Sequence, residues 1–255
     1  VHLVITGGEP LLAKDTFKVL DYIIEHPNPD LDLSINSNMC VPDALLDKFI
    51  EKVKIICEKK LVKKFKIFTS CDAHGKAAEY IRDGLNYDQW KRNIQKVLDQ
   101  VPECTFTIMS TYNLLSVPSY KQFLQDILNI RLKYRDQGLK YHKAPVLVDI
   151  PYLRWPEHQA CYIMPAELLH YVEEQVKFME DHAEQGHIDY TKAFMGFHDH
   201  EIYKLKRLYN VIVEAIKNPE PNLTIKRKDF VIFVDELTDF FEKDFIRFVC
   251  KIFFF

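Results

Sequence analysis

Short apolar runs of strand length alternate with longer amphipathic stretches along the first 155 residues. The runs are rich in β-branched and aromatic residues, and the stretches between them repeat their apolar residues at helical spacing. Alternation of this kind predicts right-handed crossovers and a parallel sheet. The predicted strands are Val1–Thr6, Leu31–Asn36, Phe65–Ser70, Thr105–Thr111 and Val146–Pro151. We therefore expect an α/β fold in which these strands form a barrel or part of one.

The helical pattern continues after the strand pattern has ended. Helices are predicted at Thr16–His26, Pro42–Glu58, Tyr87–Gln100, Ser119–Tyr134, Ala166–His182, Glu201–Lys217 and Lys226–Glu242. We expect an α/β unit over residues 1–155 and a helical carboxyl-terminal extension over residues 156–255. Nine of the 18 phenylalanines lie in residues 230–255, which favours either an amphipathic docking helix or an artefactual or truncated end.

Composition excludes several classes of protein. A net charge of −3 over 255 residues gives no electrostatic footprint for nucleic acid, and we expect the lysine-rich segment 59–64 to be a solvated loop. The six cysteines are at least fourteen residues apart, so no CxxC pair is present. No signal peptide and no run of 18 apolar residues is found, so we expect a cytoplasmic protein with no membrane span.

The first residue lies inside an apolar run that has no polar lead-in. We expect Val1 to lie in a buried strand, and natural domains seldom begin in the middle of such a strand. The sequence is therefore predicted to be a piece of a protein that lacks its amino-terminal part.

Residues 7–10 read Gly-Gly-Glu-Pro and follow the first predicted strand directly. A glycine pair lets the backbone approach a ligand closely, and the next carboxylate can receive an amino group. In parallel α/β folds ligands lie at the carboxyl ends of the strands. That rule selects Thr6–Pro10, Asn36–Asn38, Thr69–Asp72, Ser110–Asn113 and Tyr152–Arg154. The alternative is a tight turn in an unrelated barrel, where Gly relieves strain and Pro10 starts a helix.

The strand, Gly-Gly-Glu-Pro and the following helix resemble the S-adenosylmethionine-binding motif of radical SAM enzymes. Residues 34–38, Ser-Ile-Asn-Ser-Asn, resemble an Asn-containing strand end of that family. Residues 68–72, followed by residues 79–84 and then Trp90 and Asn93, resemble its ribose- and carboxylate-contacting stretch, although Asp83 separates Arg82 from Gly84. Residues 109–113 resemble the segment that lies along the adenosine. The resemblance covers about residues 2–155 and is closest to radical SAM proteins with a twitch domain.

This resemblance implies a partial (βα) barrel and a set of ligand contacts. The implied S-adenosylmethionine-binding residues are Gly7, Gly8, Glu9, Pro10, Asn36, Ser70, Arg82 and Met109; Arg82 is equally interpretable as a surface ion-pair partner. Residues 156–255 would then be a remnant auxiliary region. The implied activity is reductive cleavage of S-adenosylmethionine by a 4Fe-4S cluster, which gives a 5′-deoxyadenosyl radical and requires an electron donor and a peptide or small-molecule substrate.

The cluster ligands of the family are absent from the sequence. Its CxxxCxxC loop would precede Val1, so we expect those cysteines upstream, no metal ligands within the 255 residues, and an inactive fragment. Most resident cysteines, among them Cys57 and Cys104, are interpreted as small core hydrophobes, while Cys71 lies at a strand end.

Two other functions stay open. The first is a degenerate barrel that binds a nucleotide-like ligand or a protein partner without redox chemistry. The second is a metal-assisted hydrolase that uses the late histidines His182, His187, His198 and His200, although Asp199 or His200 could instead cap a helix. Residues 152–156, Tyr-Leu-Arg-Trp-Pro, are predicted either to contact substrate or to plug the barrel mouth.

Overall fold

The computed structural model describes residues 1–141, 143–184 and 195–236. In these ranges five parallel strands form one sheet in the order β1-β2-β3-β4-β5, and β1 does not pair with β5, so the sheet is not closed. The strands are β1 (His2–Ile5), β2 (Asn28–Asn36), β3 (Val62–Ser70), β4 (Thr105–Met109) and β5 (Val146–Asp149). The predicted α/β fold and parallel sheet are confirmed.

Helices follow each of the first four strands, as the periodicity predicts. The α-helices of the described residues are α1 (Lys14–Glu25), α2 (Asp43–Glu58), α3 (Gly75–Ile81), α4 (Tyr87–Gln100), α5 (Tyr120–Lys133), α6 (Arg135–Tyr141), α7 (Leu169–Asp181), α8 (Asp199–Lys217) and α9 (Leu223–Glu236). Helix α4 begins where it does because the Asn86 side chain accepts a hydrogen bond from Gln89 N at 2.8 Å. The last predicted helix extends to Glu242, but residues 237–255, including the phenylalanine-rich end, lie outside the described residues.

The two faces of the sheet differ in what covers them. Ile35, Ile67, Phe106 and Val146 form one continuous row across four strands, and all four side chains are fully buried. Right-handed crossovers between consecutive strands put the connecting helices on this one face. On the other face, which we call the open face, side chains of β1 to β5 stay exposed or half-buried, except at Val62 and Thr105 near the strand starts. Among the described residues, most side chains of the open face are therefore accessible to solvent.

Two expectations about the strands were wrong. Val1 precedes β1 and is 80% exposed, and Val4 is 56% exposed because it pairs with Ser34 on the open face. The lysine-rich segment is not a loop throughout. Strand β3 begins at Val62, so the exposed Lys63 and Lys64 belong to it.

A buried ion pair covers the outer edge of β5. Arg131 Nε donates to Val146 O at 2.9 Å, and Glu201 Oε1 accepts a hydrogen bond from Val148 N at 2.8 Å. Arg131 and Glu201 join at 2.7 Å, and both side chains are fully buried. The pair therefore forms hydrogen bonds with backbone N–H and C=O groups of β5 that would otherwise need a sixth strand as partner. Since Glu201 belongs to α8, residues after 155 pack directly against the sheet; the division at residue 155 stays a prediction.

No helix in the described part of the chain is long and apolar enough to cross a membrane.

Candidate functional site at the carboxyl edge of the sheet

The turn after β1 has the backbone that its two glycines predict. Gly7 has φ +100° and Gly8 has φ +49°, a region that side chains with a Cβ rarely adopt. A Cβ at either position would meet no atom within 4 Å, so backbone conformation, and not lack of space, requires glycine there. The turn thus presents bare backbone at the carboxyl edge of the sheet.

Glu9 is fixed by three hydrogen bonds. Its Oε1 accepts from Leu11 N at 3.0 Å and from Ser37 Oγ at 2.8 Å, and its Oε2 accepts from Asn38 N at 2.6 Å. The first bond caps the 3₁₀ helix Pro10–Leu12, which places Pro10 at its first position. The other two join the turn after β1 to the loop after β2. The carboxylate is half-buried and is held in one place between two strand ends.

The loop after β2 is itself held by buried groups. Ser37 is almost fully buried, and its Oγ accepts a hydrogen bond from Met39 N at 3.1 Å while it donates to Glu9. Met39 adopts φ +58°, and its carbonyl accepts from the buried Asn93 Nδ2 at 2.7 Å. Asn93, which the family resemblance singles out, therefore positions this loop from helix α4.

A second carboxylate lies at the end of β3. Asp72 Oδ2 is 2.7 Å from Arg82 Nε, and Asp72 Oδ1 accepts from Arg82 Nη2 at 3.2 Å and from Thr111 N at 2.6 Å. Burial raises the pKa of Asp72 above its ordinary value, although the attraction of Arg82 and both hydrogen bonds oppose this shift. Arg82 is thus an ion-pair partner, but its partner is a buried carboxylate at the candidate site and not a surface group.

The remaining predicted residues lie on the open face at the same edge. Ser70 pairs in register with Met109, which pairs with Asp149, and these three half-buried side chains share the open face. Asn36 pairs with Phe68 one row closer to the sheet centre and is exposed. All eight predicted residues lie at or near the carboxyl ends of β1 to β4; only Arg82 reaches the edge from the loop after α3.

Most of the described cysteines are buried in the structure. Cys71, Cys104 and Cys161 are fully buried, and burial raises the pKa of each thiol, that of Cys161 to about 12. Cys40 and Cys57 are half-buried, and Cys250 lies outside the described residues. The described residues contain no group of three His, Cys, Asp or Glu side chains that could hold a metal ion.

Among the late histidines, His198 lies at the start of helix α8. His198 is the N-cap residue, and its N–H donates to Glu201 Oε2 at 2.9 Å; the predicted caps, Asp199 and His200, lie within the helix instead. His198 Nδ1 lies 3.1 Å from Glu184 Oε2, and burial lowers the pKa of His198. His187 lies outside the described residues. His198 therefore caps α8 and contacts Glu184, while His182 is the C-cap residue of α7.

The segment after β5 extends the same edge. An isolated bridge joins Tyr112 to Tyr152, and Arg154 lies over the Tyr152 ring at 5.1 Å. Trp155 is 78% exposed. Trp155 is therefore not a buried plug, but Tyr152 and Leu153 are half-buried, so both substrate contact and an aromatic plug stay predictions for this segment.

The sequence did not predict individual roles for two residues of the candidate site. Ser37 and Asp72 lie in the selected strand-end segments, yet neither was assigned a role. The only local indication of these roles was that each residue is short and polar and lies next to or near a predicted ligand residue. Their partners, Glu9 and Thr111, come from other strands, so the contacts depend on the tertiary fold.

Comparison with protein-family models, with curated proteins and with solved structures found no match to this chain.

Proposed function

We propose that this chain binds S-adenosylmethionine at the carboxyl edge of its sheet, as part of a radical SAM enzyme with a partial (βα) barrel. The observation that carries the proposal is the fixed Glu9 carboxylate, held between two strand ends beside two glycines with positive φ.

The carboxylate of Glu9 keeps capacity for one more donor. A carboxylate offers about four lone-pair positions, two on each oxygen. Oε1 accepts two hydrogen bonds and Oε2 accepts one from described residues. One position on Oε2 therefore stays available, and a ligand ammonium group is a suitable donor because charge-assisted hydrogen bonds are the stronger kind.

The surroundings suit the rest of the ligand. The open face next to Glu9 carries Asn36, Ser70 and Met109, which provide polar groups for a ribose and an apolar surface for a base. Glu9, Asp72 and Arg82 together carry a charge of −1. S-adenosylmethionine, with one ammonium, one sulfonium and one carboxylate, carries +1, so the charges are complementary.

The described cysteines do not fit the radical-generating cluster. Three thiolates at one place are needed, whereas the described residues contain no group of three potential metal ligands and three of the described cysteines are fully buried. The described residues therefore bind and orient the ligand, and they do not hold the cluster. The proposal requires the thiolates, the electron donor and the substrate to come from outside the described part of the chain.

Titration with S-adenosylmethionine tests the proposal. The protein, expressed from its complete coding sequence, is titrated by calorimetry with S-adenosylmethionine and with 5′-methylthioadenosine, which lacks the amino-acid end. We expect Glu9→Gln to weaken S-adenosylmethionine binding about tenfold, because the ammonium loses a charged acceptor, and to leave 5′-methylthioadenosine binding unchanged. Glu25→Gln, an exposed carboxylate at the end of α1, is the matched control and should change neither affinity.

Each other outcome has a meaning. Absence of S-adenosylmethionine binding at millimolar concentration would reject the proposal, and so would equal weakening of both ligands in Glu9→Gln. Binding without formation of 5′-deoxyadenosine, after anaerobic reconstitution with iron and sulfide and with dithionite as the electron donor, would favour a degenerate barrel that binds a nucleotide-like ligand.

A further inference from the structure

Polar side chains line much of the open face of the sheet. They include Ser34, Asn36, Ser70 and Thr107, which are exposed or half-buried on β2, β3 and β4. Parallel sheets usually have both faces covered, and their strands are then almost continuously apolar. Polar side chains under an apolar layer would lose their hydrogen bonds with water. The composition of the open face therefore suits a polar ligand better than an apolar covering layer.

The charged side chains of this face are compensated except at Lys66. In the paired rows from Asp32 onward, Asp32 lies opposite Lys64, and Asp149 forms an ion pair with Lys204 of α8. Lys66 is exposed in the middle of β3, and no carboxylate of the described residues forms an ion pair with it. Lys66 thus leaves one positive charge without a partner in the described part of this face.

Hydroxyl side chains flank Lys66 on both neighbouring strands. Its register partners are Ser34 of β2 and Thr105 of β4. Neighbouring strands lie about 4.8 Å apart, so the three side chains start from adjacent positions. An ammonium group has three N–H donors, and each hydroxyl can donate one hydrogen bond. Donors in this arrangement suit an anion with several oxygen atoms, since charge-assisted hydrogen bonds are the stronger kind.

A second ammonium group lies within electrostatic reach of Lys66. Lys143 is half-buried just before β5. Burial is the largest cause that lowers the pKa of Lys143, and the positive charge of Lys66 lowers it further, although Glu103 opposes the shift. A bound anion next to Lys66 would reduce this repulsion between like charges.

The position of Lys66 separates it from the proposed S-adenosylmethionine contacts. Lys66 and Ser70 belong to the same strand and are four residues apart, which is about 13 Å along β3. Both side chains lie on the open face, since they alternate in step along the strand. A small molecule can therefore extend along this face from Lys66 toward the carboxyl edge.

We propose that Lys66, together with Ser34 and Thr105, binds the phosphate group of a second substrate, an inference that rests on the proposed function. The substrate class is a phosphorylated small molecule that lies along the open face. Its phosphate end is held at Lys66, and its other end lies next to S-adenosylmethionine at the carboxyl edge. Lys66 contributes to specificity because an uncharged analogue would leave its ammonium group without a partner.

Titration with inorganic phosphate tests the anion site. The protein from its complete coding sequence is titrated in phosphate-free buffer and followed by phosphorus-31 NMR, with S-adenosylmethionine absent and then saturating. We expect Lys66→Met to weaken phosphate binding about tenfold, because the anion loses its charged donor. The affinity for S-adenosylmethionine, measured by calorimetry, should not change.

Three further variants make the test specific. Lys63→Met is the matched control and should change neither affinity, because Lys63 is an exposed lysine on the opposite face of the same strand. Lys66→Arg keeps the charge and should retain phosphate binding. Ser34→Ala removes one hydroxyl donor and should weaken phosphate binding about threefold, which tests the site even if Lys66→Met fails to fold.

The outcomes separate this inference from the proposed function. If S-adenosylmethionine binds but phosphate does not bind at millimolar concentration, or if Lys63→Met weakens phosphate as much as Lys66→Met, the proposed function stands and the anion site is wrong. Displacement of phosphate by S-adenosylmethionine would also overturn the inference, because the two ligands would then share one site. If S-adenosylmethionine itself does not bind, the proposed function fails and the role of a second substrate fails with it. Weakened phosphate binding in Lys66→Met and not in Lys63→Met, with S-adenosylmethionine binding retained, supports the inference.

Discussion

Two arginine–carboxylate pairs in the described part of this fold have a buried carboxylate, and they differ in what the arginine can still do. Asp72 and Arg82 are joined at 2.7 Å at the carboxyl edge of the sheet, and Arg131 and Glu201 are joined at 2.7 Å along the side edge of β5. Each carboxylate also accepts a backbone N–H from a neighbouring strand or strand end. Arg82 is 35% exposed, whereas Arg131 is fully buried.

The difference separates a pair whose arginine is enclosed by the fold from a pair whose arginine is partly exposed to solvent. Arg131 donates to Val146 O, to Gly196 O and twice to Glu201, so four of its five donors are used within the chain. A guanidinium used in this way stabilises the sheet edge and is not available to a ligand. Arg82 engages its carboxylate with one edge only, and its exposed part can bind another molecule.

The largest expected effect concerns the stability of the enclosed pair. Arg131→Met should lower the free energy of unfolding by about 3–5 kcal/mol, because it leaves Glu201 buried without a counter-charge. Urea denaturation followed by circular dichroism measures this. Arg92→Ala, which breaks an exposed pair with Asp43, is the control and should change stability by less than about 1 kcal/mol. A loss below about 1 kcal/mol in Arg131→Met would contradict the structural role.

A smaller loss is expected for the pair at the carboxyl edge. Asp72→Asn should lower the free energy of unfolding by about 1–2 kcal/mol, because Arg82 is partly exposed and water can replace its partner. The same denaturation experiment measures it. The contrast between the two pairs would be lost if Asp72→Asn were as destabilising as Arg131→Met.

The smallest expected effect is that the contributions of Glu201 and Asp72 to stability depend on pH in opposite directions. Burial tends to raise the pKa of Glu201, but the attraction of Arg131 and four hydrogen bonds lower it below the ordinary 4.5. Its contribution to stability is therefore present above pH 4.5 and is lost as the pH falls through the lowered value. The pKa of Asp72 is raised above 3.8, so its contribution is present below that pH and is lost as the pH rises through the folded-state value.

Unfolding at a series of pH values tests these signs. Glu201→Gln should remove part of the loss of stability on acidification, and Asp72→Asn should make stability rise more steeply with pH. Urea denaturation of both variants and the wild type between about pH 3 and 6 measures the slopes. Slopes that change in the same direction would show that the two carboxylates are not in opposite environments.

Local patterns in the sequence predicted the elements and the edge of the sheet that carries the site. Strands β2 to β5 and helix α4 follow from hydrophobic periodicity, which depends only on neighbours along the chain. The strand-end rule selected the segments that contain Glu9 and Asp72.

Tertiary contacts account for what was missed. The partner of Glu201 is 70 residues away in sequence, and Asp72 contacts Thr111 from the next strand. The exposure of β1 was also not predictable, since an apolar run is compatible with a central strand and with an edge strand. Hydrophobic pattern determines which residues face the helices, but polar partners across the sheet depend on its register.

Photolabelling tests the central claim, that the carboxyl edge of the sheet binds S-adenosylmethionine. The protein from its complete coding sequence is irradiated with S-adenosyl-[methyl-³H]methionine and digested, and the labelled peptides are identified by mass spectrometry. We expect label in peptides that contain residues 6–10, 36–39, 70–72 or 109–113, and loss of that label when excess unlabelled S-adenosylmethionine is added. Competable label confined to residues 156–236 would contradict the claim, as would the absence of any label that unlabelled ligand displaces.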